Sequence, residues 1–399
     1  MIEVNEAEML IGSSALKFGV ESVSILDAKG RILATDIKAE RAGPPFDRVA
    51  MDGIGIQYQS ISRANEFHCE GMQAAGEPQC KLNQADACIE VMTGAPLPKD
   101  CDTVVPFEKV TKENEHYRLD DPRAIKEKQN IHFEGSDYKA GSVLLKKGVE
   151  ISAPIIAILA SEGVENVDVV KYPKFALITT GSELVNIDEV PEPHQIRMSN
   201  VYAAFSLLKP FGISSEDRYH IADEELKVKV QLQECLEKAD VLILSGGVSK
   251  GKKDYVPKVL EELGVEKRFH KISQKPGKPM FFGIRDNKRV FALPGNPVSM
   301  VVCMVRYVLP WLKQCLGNEK IKTSKVLLKD EIKSKEKLVL FAPVIVEIDE
   351  NGTRIANKIS VNGSGDFNSL SNSTGFIEVP ASGSTYQKNT LYDYYEWGS

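Results

Sequence analysis

Val241-Leu242-Ile243-Leu244-Ser245-Gly246-Gly247-Val248-Ser249-Lys250-Gly251-Lys252-Lys253-Asp254-Tyr255 is an apolar run that ends at a serine and two glycines and then turns basic. A run apolar at every position reads as a strand buried on both faces, as in parallel sheets covered by helices. The glycines allow close backbone approach to a ligand, and the helix expected to follow presents unpaired N–H groups to an anion. The pattern nearly meets the phosphate-binding loop of nucleotide hydrolases, with Gly246, Gly251 and Lys252 in place. Lys253, however, stands where a magnesium-binding Ser or Thr belongs, which excludes an ordinary ATPase. Taken alone, a double glycine at a strand end is equally a tight turn.

Around this run, residues 174–317 alternate strand and helix. Phe175-Ala176-Leu177-Ile178-Thr179-Thr180-Gly181 reads as a second buried strand, residues 201–208 have helical spacing, and residues 298–316 form a long apolar helix. Residues 223–239 form an amphipathic helix with Asp223, Glu224 and Glu225 in its first turn, where the helix dipole favours anions. The alternation predicts a parallel sheet with both faces covered, and such sheets bind ligands at the carboxyl ends of their strands. Two further loops belong there. Gln274-Lys275-Pro276-Gly277-Lys278-Pro279 holds two lysines on a proline-stiffened chain, suited to a phosphate or oxyanion. Leu293-Pro294-Gly295-Asn296-Pro297 turns a strand into a helix, with Asn296 at the cap and Pro297 at the first helical position. Glu183 stands just past a strand, Asp223 opens a helix, and Asp254 lies beside Lys252 and Lys253. Each alone reads as a cap or dipole partner; beside lysines, such carboxylates can hold Mg²⁺ against phosphate oxygens.

The remaining sequence is of other kinds. Residues 42–141 carry short β-rich runs, 87–92 and 103–110, broken by Pro, Gly and Asn, which reads as a small all-β module. A helix start at Ser152 and Pro154 follows. After residue 317 the pattern returns to β, with an alternating run at 337–348 and a hairpin turn at Asn351-Gly352. At 399 residues the chain exceeds what one core serves. Its 42% hydrophobic and 27% charged residues exclude collagen, bulk disorder and coiled coil. The apolar stretches 154–160 and 298–305 fall short of the ~20 residues a bilayer requires, so no membrane span is expected. The acidic start, MIEVNEAEML, is unlike a secretory signal and points to the cytoplasm. Seven cysteines with no C-x-x-C argue against a disulfide framework and a zinc site. The net charge of −6 does not favour nucleic acid as a partner. Residues 250–278 nevertheless carry nine Lys or Arg against four acids, a local anion-binding patch.

Six motifs in order carry a resemblance that covers nearly the whole chain. They are Pro44-Pro45-Phe46-Asp47 with Ala50-Met51-Asp52-Gly53, Met92-Thr93-Gly94-Ala95-Pro96, Thr180-Gly181-Ser182-Glu183-Leu184, Ser245-Gly246-Gly247-Val248-Ser249, Lys275-Pro276-Gly277-Lys278-Pro279 and Leu293-Pro294-Gly295-Asn296-Pro297. Together they resemble the molybdopterin molybdenumtransferases, the MoeA and gephyrin E-domain family. The resemblance implies an α/β and β multidomain fold in four parts. These are an elongated linker domain (1–41 with 140–172), an inserted β-rich domain (42–139), a central α/β molybdopterin-binding domain with a parallel-type sheet (173–318) and a C-terminal β-barrel (319–399). It also implies a homodimer, and other proteins of molybdenum cofactor biosynthesis as partners. The implied reaction takes adenylylated molybdopterin and molybdate, inserts the metal at the dithiolene and releases AMP. Carried over position by position, the functional residues are Asp52, Thr93, Asp137, Glu183, Asp223, Asp254, Lys275, Lys278, Pro294, Pro297 and Ser364, with Gly246, Gly247 and Ser249 binding substrate and Asp223 and Asp254 facing Mg²⁺. The chain departs from the family pattern at Arg48-Val49, Ile54, His132, Ser136 and Met198, and its segment Lys337-Leu338-Val339-Leu340-Phe341-Ala342 lacks the usual arginine. A molybdopterin adenylyltransferase on the related α/β domain is the first rival, opposed by the two β-domains. A gephyrin-like scaffold is the second, and the chain has no spare length for a partner-binding region.

Overall fold

A computed structural model describes residues 1–248, 255–317, 323–333, 337–363, 365–381 and 385–398. The chain divides into two compact units, Met1–Ser22 with Gly30–Ile32 and Asp168–Ser399, and Val23–Lys29 with Leu33–Val167. This division is coarser than the four segments expected, and it groups residues 1–22 with the α/β segment.

In the first unit a six-stranded sheet is built from β1 (Phe175–Thr180), β2 (Arg218–Ile221), β3 (Val241–Ser245), β4 (Glu266–His270), β5 (Phe281–Arg285) and β6 (Lys288–Leu293), in the spatial order β2-β1-β3-β6-β5-β4. Every residue of β1 and β3 is buried, as their unbroken apolar runs require. Alternate side chains feed two cores. Leu177, Ile243 and Phe291 pack with α1 (Asn200–Leu208) and with the N-terminal helix Val4–Gly12, while Ala176, Leu242 and Val290 pack with α2 (Glu225–Lys238) and α3 (Val256–Glu262). The expected parallel arrangement holds for β2, β1, β3 and β6. β5 and β4 instead run antiparallel. Only Asp286 and Asn287 separate β5 from β6, with Asp286 at φ +49°, and a two-residue turn can join only antiparallel neighbours.

The apolar helix expected over 298–316 is interrupted. Pro297–Cys303 (α4) and Leu309–Cys315 (α5) are joined by a π-helical turn, Met304–Val308. Pro310 lacks the N–H that would bond Arg306 four residues back, and a widened turn accommodates that gap. Arg306 is buried there, donating to Glu378 Oε2 and to Glu8 Oε2, each at 2.8 Å. It ties the N-terminal helix and a strand near the C-terminus to the α/β core.

That strand, Gly375–Val379, belongs to a closed five-stranded barrel with Val339–Ile348, Arg354–Lys358, Ser324–Leu328 and Leu391–Glu396. The run at 337–348 does not alternate buried with exposed, because Phe341 enters the α/β core while Ala342 and Val344 fill the barrel. Gln274–Lys275 pairs in parallel with this barrel strand, Gln274 opposite Val339 and Lys275 opposite Leu340.

The second unit holds a six-stranded sheet with Gly53–Ile56, Ala87–Val91 and Thr103–Pro106 at one side. Its helix Ala153–Ser161 starts where Ser152 and Pro154 predict. All seven cysteines are free thiols. Among the described residues no helix is long and apolar enough to cross a membrane.

Buried Arg306 holds two carboxylates, Glu378 at 18% side-chain exposure and Glu8 at 57%, so losing Glu378 leaves it only the largely solvated partner, at a cost of up to ~3–5 kcal/mol. Glu378→Leu should therefore lower the denaturation midpoint of the first unit strongly, and Glu8→Leu less, because the Glu8 side chain is 57% exposed. Equal, small effects in denaturant titrations would contradict this role for Arg306.

Candidate functional site

The carboxyl ends of β1, β3 and β6 meet with little room to spare. Gly246 has φ +97° and its N–H donates to Leu293 O at 3.2 Å; a Cβ there would stand 2.6 Å from Thr180 O. Gly247, at φ +68°, would place a Cβ 2.6 Å from Val256 Cγ2. Only glycine fits at both positions. Asn200, at the start of α1, clamps two of the strand ends by donating to Ser245 Oγ at 2.8 Å and to Gly295 O at 2.7 Å. Between them opens a crevice of about 790 Å³ that Glu183, Asp223, Gly246, Gly247, Pro294 and Pro297 all line. Thr180 Oγ1 and Asn200 Oδ1, both from residues of this crevice, are buried without a hydrogen-bond partner among the described residues.

Asp223 is not in the first turn of α2, which begins at Glu225 after Glu224. It exchanges hydrogen bonds with the next loop instead. Ser182 N–H donates to Asp223 Oδ2 and Asp223 N–H donates to Ser182 Oγ, both at 3.2 Å. Glu183 lies back over Gly181, with Oε1 2.8 Å from where a Cβ of that glycine would be. The crevice thus has two carboxylates on neighbouring loops. Among the described residues, no three His, Cys, Asp or Glu side chains cluster so as to hold a metal.

Lys275 and Lys278 do not line this crevice. They border a neighbouring cavity of about 900 Å³, together with Lys358 from the barrel and with no carboxylate among its described lining residues. Pro279, Pro294 and Asn296 line both spaces. The lysine loop is held from below by Gln274, which is fully buried. Its Nε2 donates to Pro276 O at 3.1 Å and its Oε1 accepts from Tyr307 OH on the π-helical turn. Burial pushes the Cys303 thiol beside it up to about 12, so it packs as a neutral group. Gly277, at φ +91°, has room for no Cβ between Gln274 and Cys303.

In the second unit, Asp52 Oδ1 accepts from Thr93 N and Thr93 Oγ1, each at 2.7 Å. These bonds, the backbone one first, hold its carboxyl below the usual range. Asp137 Oδ1 is bonded to His132 Nε2 at 2.8 Å. Ser249, Asp254 and Ser364 lie outside the described residues. Asn200, Gln274, Tyr307 and Lys358 escape sequence reading. Ser199-Asn200 ahead of an apolar run is a helix-start signal that could have flagged Asn200, whereas nothing local marks Lys358 in its strand.

Three family models match this chain. The MoeA N-terminal region (domain I and II) covers residues 2–163, a probable molybdopterin binding domain covers 176–314, and the MoeA C-terminal region (domain IV) covers 325–397. The molybdopterin molybdenumtransferase of Synechocystis sp. is 36% identical over 403 residues, spanning 100% of both chains. That of Bacillus subtilis is 31% identical over 399 residues, covering 97% of this chain and 92% of its own. A crystal structure of a molybdopterin biosynthesis MoeA protein from Pyrococcus horikoshii aligns with a TM-score of 0.82 at 27% identity, over 99% of this chain and 100% of that one.

Thr93→Val removes the hydroxyl donor and keeps the backbone donor. The Asp52 titration midpoint, followed by carboxyl carbon NMR, should rise part of the way toward the ordinary aspartate value. A midpoint unmoved by the change would remove the Thr93 hydroxyl as a cause.

Proposed function

The chain belongs to the MoeA family of molybdopterin molybdenumtransferases, and from that membership we propose that its crevice takes adenylylated molybdopterin while its lysine cavity takes molybdate. The observation that carries this reading is the wall the two spaces share, Pro279, Pro294 and Asn296. A pterin dithiolene in the crevice would lie beside an oxyanion in the cavity. Insertion forms two Mo–S bonds as one oxo group leaves as water with the two thiol protons, so no electrons are transferred. The protein's work is then positioning and charge. Lys275, Lys278 and Lys358 hold the dianion. The glycine loop brings backbone N–H groups to the phosphates.

Asp223 and Glu183 are hard oxygen donors of the kind Mg²⁺ accepts, and a site completed by phosphate oxygens needs no more than one or two carboxylates. Bound there, Mg²⁺ would neutralise charge on the pyrophosphate linkage as a water adds to one phosphorus and AMP departs. In this reading Asp223 is the described metal-facing residue, and Ser182 fixes its orientation through Oδ2. Asp52 and Asp137 as functional residues of the inserted β-rich domain, the four-segment division of the chain and a homodimer in the cytoplasm complete the proposal. An adenylyltransferase would instead make the adenylylated pterin from ATP.

Incubation with adenylylated molybdopterin and molybdate should give AMP together with metal-loaded cofactor. ATP-dependent adenylylation without AMP release would favour the rival. Because a charge-assisted hydrogen bond is worth ~1.5–3 kcal/mol, Lys278→Ala or Lys358→Ala should weaken molybdate binding in calorimetry about tenfold or more, with the melting temperature unchanged. Unaltered affinity would return these lysines to solvated surface. Asp223→Asn keeps the shape and removes the charge, so AMP release should slow while adenylylated molybdopterin still binds. Normal turnover with a lowered melting temperature would leave Asp223 only its structural bond to Ser182.

A further inference from the structure

Two positions where this chain departs from the family pattern, Arg48 and His132, meet in space. Arg48–Val49 and Ile131–His132 form an antiparallel ladder with Arg48 directly opposite His132. Side chains directly opposite in such a ladder share a face. Arg48 Nη2 lies 3.0 Å from His132 Nδ1, and His132 Nε2 lies 2.8 Å from Asp137 Oδ1. We infer that Arg48 and His132 are positioning residues that orient the Asp137 carboxylate, a role that rests on Asp137 taking part in the reaction proposed above.

The direction of the chain follows from donor chemistry. A guanidinium has donors only, so Nδ1 must be the acceptor and carries no proton. The ring proton is then on Nε2, which donates to Asp137 Oδ1. A neutral histidine whose tautomer is set by the hydrogen bond at its other nitrogen is a standard way of aiming a carboxylate or a metal ligand. The carboxylate is also fixed from its backbone, because Asp137 N–H donates to Gly43 O at 2.9 Å. Its side chain is 55% exposed, so Oδ2 can reach a ligand while Oδ1 is occupied by the imidazole. Neighbouring charges have other partners or directions. Asp47 Oδ1 accepts from Glu134 N–H at 2.8 Å, and Asp52 is bonded to Thr93. Arg48 therefore supplies a cation that acts on Asp137 through the ring, which sits between them, rather than by direct contact.

The test separates orientation from packing. A glutamine at 132 can repeat both bonds, its Oε1 accepting from Arg48 and its Nε2 donating to Asp137, whereas phenylalanine can make neither. In ¹⁵N-histidine-labelled protein, His132 should appear as the Nε2–H tautomer with Nδ1 unprotonated, and Arg48→Met should let the Nδ1–H form appear. In single-turnover AMP release, Arg48→Met and His132→Phe should slow the rate about tenfold or more, with the KM for adenylylated molybdopterin unchanged, and His132→Gln should recover most of the loss. A protonated Nδ1 in the wild type overturns the inference. So does an AMP release rate in His132→Phe equal to that of the wild type. A wild type that releases no AMP refutes the functional reading instead, and the tautomer measurement then decides the Arg48–His132–Asp137 arrangement by itself.

Discussion

The approach of Gly246 to Thr180 is the constraint on which the ligand region depends. With the Gly246 N–H bonded to Leu293 O and no room for a Cβ beside Thr180 O, the ends of β1, β3 and β6 are drawn to one place. The chain must leave that crowded edge by turning outward, at positive φ for both Gly246 and Gly247. Asn200 then locks the geometry through its two donated bonds. The crevice follows from this packing.

A transferase that joins a metal oxyanion to an organic ligand needs two pockets of different character with an open boundary. The crevice has carboxylates and close backbone, and the neighbouring cavity has lysines and no acid among its described lining residues. The second cavity exists because the barrel docks on the α/β core. Gln274–Lys275 pairs with the barrel strand Val339–Ile348, and the Tyr307–Gln274 bond fixes the base of the lysine loop. Arg306, one residue from Tyr307, anchors the same helical turn to Glu378 of the barrel. Lysine placement and domain docking therefore share one set of interactions.

Much of this was legible in the sequence, for local reasons. β1 and β3 are apolar at every position, and the proline and glycine at 294 and 295 announce the turn into α4. What escaped depended on distant pairing. The loop of Lys275 and Lys278 was expected in the same crevice as the glycine loop, but its ladder with a barrel strand sixty-odd residues later assigns it to the neighbouring cavity. Asp223 resembled a helix-start acid, and its exchange with Ser182 joins loops 41 residues apart. The antiparallel edge was readable in principle, since the two residues between β5 and β6 forbid a crossover. Lys358 joins the lysine cavity only through barrel closure, which no local pattern encodes.

The most direct test of the two-pocket account is to locate the oxyanion. Crystals soaked with tungstate, which has the charge and shape of molybdate and a strong anomalous signal, should show tungsten in the cavity bordered by Lys275, Lys278 and Lys358, on the far side of Pro294 from the crevice. Tungsten in the crevice between Glu183 and Gly246, with the lysine cavity empty, would contradict the account.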